Sequence, residues 1–353
     1  MLEAGALGEH LRRWGHVRLF TPTRMNISTR TAQQLSATGL DLDALLTGQE
    51  HIDRVLGPLA AGLDLREGHR VQSIHRHRLT RSELPGHPLR AKRPFELLVE
   101  GPRGEECLLA DGVVDATGVY GQPRWAGRGG SPVPGERTST VYRHLPDFSK
   151  DPDGWRQELL LIGNGASAAT ALRALAALRA QGGGTVHWLV PDDRQRPVDE
   201  IPEDPLPERA AILRAANDLA AKAPPWLRVW RRAALISVQQ QACVVATRAG
   251  EDHLRAERIL SLVGYRPNGE LLQELAVGLD PAWEGGAGLA RALAGVTDCL
   301  AKIELNRSDL ESGEPDLFLA GHRAYGRRNT FLLQTGLEQL EIIFSGWKLQ
   351  RKG

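Results

Sequence analysis

An apolar run, Leu159-Leu160-Leu161-Ile162, leads directly into Gly163-Asn164-Gly165-Ala166-Ser167-Ala168, and this segment constrains the fold more tightly than any other. A strand that ends in a glycine turn and opens a helix has the shape of a dinucleotide phosphate site. Gly163 permits the tight turn, Gly165 lets the backbone approach a pyrophosphate, and small Ala168 stands where a third glycine would allow close helix–strand packing. Phosphates at such a turn rest on free N–H groups of the helix start, so Asn164, Ala166 and Ser167 join the glycines as candidate cofactor-binding residues. Leu172, Leu175 and Leu178 recur at helical spacing, Gly182-Gly183-Gly184 ends the helix, and Thr185 to Val190 reads as the next strand. An ordinary strand-to-helix turn accounts for the glycines alone. It does not account for strand, glycines, helix and next strand in this order.

The chain has 353 residues, enough for two domains of ordinary size. Its 44 basic and 43 acidic residues leave a net charge of +1, so no basic excess is available to neutralise a row of nucleic-acid phosphates. Paired arginines such as Arg12-Arg13, Arg231-Arg232 and Arg327-Arg328 read as solvated faces. Cys107, Cys243 and Cys299 lie far apart without Cys-x-x-Cys spacing, which argues against structural disulfides and a tetrahedral zinc site; no metal is expected. No apolar run reaches the roughly 18 residues that span a bilayer, and no signal-peptide pattern opens the chain. The expectation is a soluble cytoplasmic protein acting on a small molecule, without a nucleic-acid or membrane partner. The oligomeric state is left open.

Residues 69 to 117 read as a β-meander: His69 to Thr80, Phe95 to Glu100 and Cys107 to Ala116, the last running into Thr117-Gly118. A glycine- and proline-rich loop, Gly121 to Gly135, looks like a domain boundary. Beyond Val190 a polar, proline-rich stretch, Pro191 to Pro207, precedes a helix over Glu208 to Ala223. A second meander is expected from Ile236 to Gln240, Cys243 to Arg248 and Ile259 to Val263, with Gly250-Glu251-Asp252 as a turn. Leu317 to Gly321 reads as another apolar strand ending in glycine, and Phe331 to Trp347 as a closing helix.

In this order the elements resemble the flavoproteins with two dinucleotide-binding domains, a family that includes flavin-containing monooxygenases and thioredoxin-reductase-like enzymes. Ala116-Thr117-Gly118 resembles the family's short crossover motif, Gly163 to Ala168 its NAD(P)H turn, Gly264-Tyr265-Arg266-Pro267-Asn268 the strand returning from the inserted domain, and Phe318 to Gly321 the last FAD-domain strand. The resemblance implies an α/β fold of two Rossmann-like, three-layer domains, the NAD(P)H domain inserted into the FAD domain. The implied boundaries are 1–152 and 266–353 for the FAD domain and 153–265 for the NAD(P)H domain. It further implies an oxidoreductase using FAD with NADPH or NADH, in which hydride passes from nicotinamide to flavin and on to oxygen or a small-molecule acceptor, monooxygenation being one such route.

Departures from the family pattern qualify this. The family begins with a strand, a GxGxxG turn, a helix and a strand ending in a ribose-binding acid; here Glu3 resembles that acid, with roughly 30 residues, the size of one βαβ start, not preceding it. A flavin-deficient NAD(P)H-binding sensor or scaffold is therefore the alternative reading. The missing Cys-x-x-Cys argues against disulfide reduction. Where the family often carries an aspartate after the strand glycine, His322 follows Gly321. After Val190, Arg194 and Arg196 compete with Asp192 and Asp193, so a 2′-phosphate clamp and plain loop charges weigh evenly. Arg327, Arg328, Asn329 and Thr330 precede the closing helix, with Asn329 or Thr330 as its cap and an arginine adding to its dipole. No residue is singled out as catalytic.

Overall fold

The structure is a computed structural model describing residues 1–353 other than 297–299, 302, 346 and 348–353. Thirteen strands occur among the described residues: β1 Arg70–Arg76, β2 Phe95–Gly101, β3 Gly104–Ala110, β4 Val113–Asp115, β5 Val141–Tyr142, β6 Leu159–Ile162, β7 Val186–Leu189, β8 Leu227–Trp230, β9 Ala234–Gln239, β10 Ala242–Thr247, β11 Gly250–Arg255, β12 Arg258–Ser261 and β13 Leu317–Leu319. The chain divides into two compact units: Met1–Gln122 with Tyr265–Gly353, and Pro123–Gly264. In chain order the second is inserted in the first.

The inserted unit is built on a five-stranded parallel sheet in the order β5-β12-β6-β7-β8. All four residues of β6 are buried, as a central parallel strand covered on both faces requires. The helix Ala166–Arg179 joins β6 to β7, and the helix Pro207–Lys222 precedes β8. Alanines let the first helix lie close to the sheet: Ala168, Ala169 and Ala171 are fully buried, with Leu172 and Leu175 beside them. Arg179 in its last turn donates to the carbonyls of Trp155 and Gln157, each at 2.8 Å, fixing that end. A separate antiparallel sheet, β9-β10-β11, stands between β8 and β12 in the chain.

Several expectations shift here. Gly250-Glu251-Asp252 is not a turn but the start of β11, paired with β10 from Gly250↔Thr247 to Arg255↔Ala242. Ile259 to Val263 belongs to the parallel sheet instead, because β12 pairs with β6. Residues 123–152 pack with the inserted unit, whereas the sequence reading set the boundary at 152; β5 lies beside β12, and Val238 N–H reaches the Pro134 carbonyl at 2.9 Å.

The other unit carries the antiparallel sheet β1-β2-β3 and the parallel pair β13-β4. The expected strand Cys107 to Ala116 is two strands, broken at Asp111-Gly112. β3 ends the meander on β2, and β4 leaves it to pair in parallel with β13. Phe95, Leu97 and Val99 alternate inward from β2 and pack with Leu317, Phe318 and Leu319 of β13 in one apolar cluster. A smaller core of Ile27, Leu35, Leu46 and Val55 holds the N-terminal helical segment. The closing helix runs over Leu333–Ser345, so Asn329 and Thr330 are not its caps; Phe331 lies outside it, stacked on His322 with ring centroids 5.0 Å apart. No helix among the described residues is long and apolar enough to cross a membrane.

Candidate functional site

In the inserted unit, the turn after β6 is shaped by two glycines for different reasons. Gly163 has φ of 119°, and a Cβ there would lie 2.3 Å from the Leu262 carbonyl oxygen, so the neighbouring strand end excludes any side chain. The Trp188 indole N–H, fully buried, donates to the Gly163 carbonyl at 2.7 Å and holds the turn from β7. Gly165 is different. Its φ of −86° is open to any residue, and a Cβ would meet nothing within 4 Å. Neither protein packing nor the backbone angle therefore requires a glycine here.

Gly165 is the cap of the helix Ala166–Arg179, with no side chain accepting from its first turn. The N–H groups of Ala166, Ser167 and Ala168 thus lie at an uncapped, positively polarised helix start beside open space, which suits a phosphate. Asn164 turns away, its Nδ2 donating to the Pro197 carbonyl at 2.9 Å.

The stretch after β7 is an ordered lattice of ion pairs. Arg194 donates to Asp192 at 2.6 and 3.0 Å, to the Pro197 carbonyl at 3.0 Å, and to Asp199. Asp192 and then Asp199 hold its pKa above the ordinary arginine value, and Arg194 in turn holds Asp192 below the usual carboxylate range. Arg196 is likewise taken by Glu200 and Asp218. Asn217, fully buried in the helix Pro207–Lys222, binds both the N–H and the carbonyl of Val198 at 2.9 Å and ties this lattice down. Gly264, with φ of 88° and no neighbour within 4 Å of a Cβ, accepts from Arg124 N–H through its carbonyl.

In the discontinuous unit, Ala116 and Thr117 are exposed just beyond β4, and Gly118 follows with φ of 69°. Asp115, 4% exposed, shapes this loop: its Oδ1 accepts from Thr117 N–H at 3.1 Å and from the Thr117 hydroxyl at 2.7 Å. Its Oδ2 accepts from Arg323 Nε at 2.9 Å. Arg323 comes from the short helix His322–Tyr325 after Gly321, whose φ of 63° and ψ of −149° only glycine adopts readily. The Gly321 N–H donates to Gln339 Oε1 at 2.8 Å. Thr117 is thereby tied through Asp115 to Arg323, two residues beyond Gly321.

The remaining sequence candidates Glu3, Arg327 and His322, and His10, which the sequence did not single out, have partners of their own. Glu3 pairs by its backbone with Arg66 and His69, and its carboxylate accepts from Gly5 N–H at 2.9 Å. His10 lies 3.8 Å from where a Gly118 Cβ would stand and 5.8 Å, ring to ring, from Tyr120. Burial, then Arg13, pushes its pKa down. Arg327 makes a two-point ion pair with Glu284 at 2.8 and 2.9 Å, raising the arginine's pKa and lowering the acid's. Asn329 is exposed. His322, at the position where an acid was expected, stacks on Phe331 and bonds the Arg328 carbonyl through Nε2 at 3.1 Å. Sequence reasoning missed Trp188 as a clamp on the turn, and missed Asp115, Arg323 and Gln339 altogether; the adjacency of Asp115 to Ala116-Thr117-Gly118 was the one local signal.

No family model matches the sequence, and no curated protein matches it. Solved structures do match in fold. The bacillithiol disulfide reductase from Bacillus cereus shares 14% identity over 98% of this chain and 89% of its own, with a TM-score of 0.67. The ornithine N-hydroxylase from Kutzneria sp. 744, described with FADred, NADP+ and L-orn, shares 16% over 99% of this chain and 92% of its own, with a TM-score of 0.62. Thioredoxin reductase from Lactococcus lactis shares 14% over 96% of this chain and 86% of its own, with a TM-score of 0.57. The chain has the fold of these flavoprotein oxidoreductases, reductases and monooxygenases alike, with one dinucleotide-binding-type unit inserted in another.

Proposed function

We propose that this chain is a FAD-dependent NAD(P)H oxidoreductase that passes electrons to oxygen or a small-molecule acceptor. The observation that carries the reading is Gly165: a glycine that neither backbone angle nor packing demands, at an uncapped helix start, beside a Gly163 that both demand. That combination fits a dinucleotide pyrophosphate. Gly163 and Trp188 would hold the turn, and the N–H groups of Ala166, Ser167 and Ala168 would receive the phosphates. Arg194 and Asp192 would meet the adenosine ribose, in NADPH or NADH according to whether the arginine leaves its acids.

For FAD, the fitting features are the exposed Ala116-Thr117 backbone, the left-handed Gly118 and the Gly321 turn; Glu3 is offered as a ribose contact. Arg323, Arg328, Thr330 and Gln339 each bury a nitrogen or oxygen that has no partner among the described residues, as a site shaped for a missing acceptor-rich group would. When bound, FAD supplies hydride acceptance and one- or two-electron release. The chain's part is to bind, orient and shield. With no Cys-x-x-Cys in the sequence, and with the buried Cys243 thiol pushed up to about 11 by burial, oxygen or a small molecule is favoured over a disulfide as acceptor.

The test is the visible spectrum of the protein incubated with FAD and desalted. A flavin band that co-elutes and bleaches on adding NADPH or NADH is expected. A protein that stays colourless sinks the reading.

A further inference from the structure

Two of the unpartnered groups flank the Gly321 turn, Arg323 two residues beyond it in the chain and Gln339 bonded to its N–H. Arg323 and Gln339 are both fully buried, at 0% exposure. Arg323 spends Nε on Asp115 and one terminal nitrogen on the Glu284 carbonyl at 3.2 Å, leaving Nη2 without a partner among the described residues. Gln339 spends Oε1 on the Gly321 N–H, leaving Nε2 in the same condition.

Neither surplus donor is needed by the bonds that are made. One cationic donor would satisfy Asp115, and Gly321 N–H needs only an acceptor; arginine and glutamine each bring a further donor group into the buried interior. Buried donors of this kind are costly unless something accepts from them. The helix carrying Gln339 is also pressed onto the turn. A Cβ on Gly336 would lie 3.3 Å from the Gly321 Cα and 3.2 Å from Phe331, so the amide is held at Gly321 by packing and has little room to turn away.

We infer that Arg323 and Gln339 are flavin-holding residues of this chain, their Nη2 and Nε2 donating to oxygen or nitrogen acceptors of the flavin nucleotide. The inference rests on the flavoprotein reading above. It gives this chain a cationic donor set where an acid was expected after the strand glycine, since His322 is occupied with Phe331 and Arg328.

The experiment measures FAD dissociation constants by flavin fluorescence for the wild type, Gln339→Glu and Arg323→Lys, with the melting temperature of each ligand-free protein alongside. Gln339→Glu keeps an oxygen for Gly321 N–H and deletes the surplus donor; Arg323→Lys keeps a cation for Asp115 and removes the donor from the Nη2 position. A rise of tenfold or more in the dissociation constant of each folded variant is expected. Constants within twofold of wild type overturn the inference while leaving the flavoprotein reading intact, and a wild type that does not bind FAD overturns both. Should a variant fail to fold, the wild type itself carries the test. With glutamine side-chain nitrogen labelled, saturating FAD must shift one slowly exchanging NH2 pair, and a spectrum without such a shift overturns the inference.

Discussion

Gly163 and Gly165 look alike in the sequence and behave as opposites in the structure. Gly163→Ala forces a side chain into φ of 119° and onto the Leu262 carbonyl, so it should destabilise the ligand-free protein by roughly 2–4 kcal/mol. Gly165→Ala meets no atom and should cost less than about 1 kcal/mol, yet weaken NADH or NADPH binding at least tenfold. Urea unfolding and nicotinamide fluorescence separate the two; equal effects on stability, or none on binding, would refute this division of labour. A second residue-scale prediction concerns pH. His51 is 3% exposed with Nδ1 unpartnered, and burial pushes its pKa down to about 4. The unfolded imidazole takes its proton near 6.5, so between those values only the unfolded state is protonated. Stability should fall as pH drops from about 6.5 to 4, by roughly 3 kcal/mol in all. Unfolding midpoints compared with His51→Leu over this range should show the variant with the flatter pH dependence. The glycine turn was legible because strand, glycines and helix are local. The roles of Asp115, Arg323 and Gln339 were not, because Asp115 lies about two hundred residues before Arg323 and Gln339 reaches Gly321 only once the closing helix packs.

Among the elements, β4 and β11 show where a local reading fails. Cys107 to Ala116 reads as one strand only if the Asp111-Gly112 turn signal is passed over; that dipeptide divides it between an antiparallel meander and a parallel pair with β13, and nothing within the segment announces the second partner. Gly250-Glu251-Asp252 has turn chemistry but continues as an edge strand, because β10 offers it a complete ladder. An equally hidden tie secures the meander to the segment before β13. Glu314, fully buried, accepts from Arg76 at 2.8 Å, from Arg90 at 3.0 and 3.1 Å, and from Ala276 N–H at 2.9 Å. Glu314→Gln removes the carboxylate that bonds both guanidiniums and leaves two buried cations short of it. A loss of about 3–5 kcal/mol is expected, read as a lower urea midpoint. An unchanged midpoint would mean the arginines find other acceptors.

For the molecule as a whole, the inserted unit closes on itself: Arg124 N–H bonds the Gly264 carbonyl at 2.9 Å, so its two ends lie side by side. Residues 123–264 expressed alone should melt in one cooperative transition and retain the nicotinamide cofactor; a fragment without such a transition would show that it depends on the rest of the chain. The interrupted unit has no such autonomy during synthesis. Strand β4 is made early, but its partner β13 emerges about two hundred residues later, which at about 5–20 residues per second is a wait of roughly 10–40 s. The inserted unit is complete when residue 264 clears the ribosome, so it should fold first, while Phe95, Leu97 and Val99 still lack the strand that covers them. A chain ordered this way presents its apolar meander to chaperones on every round of translation, and the speed of the ribosome through residues 123–316 sets for how long.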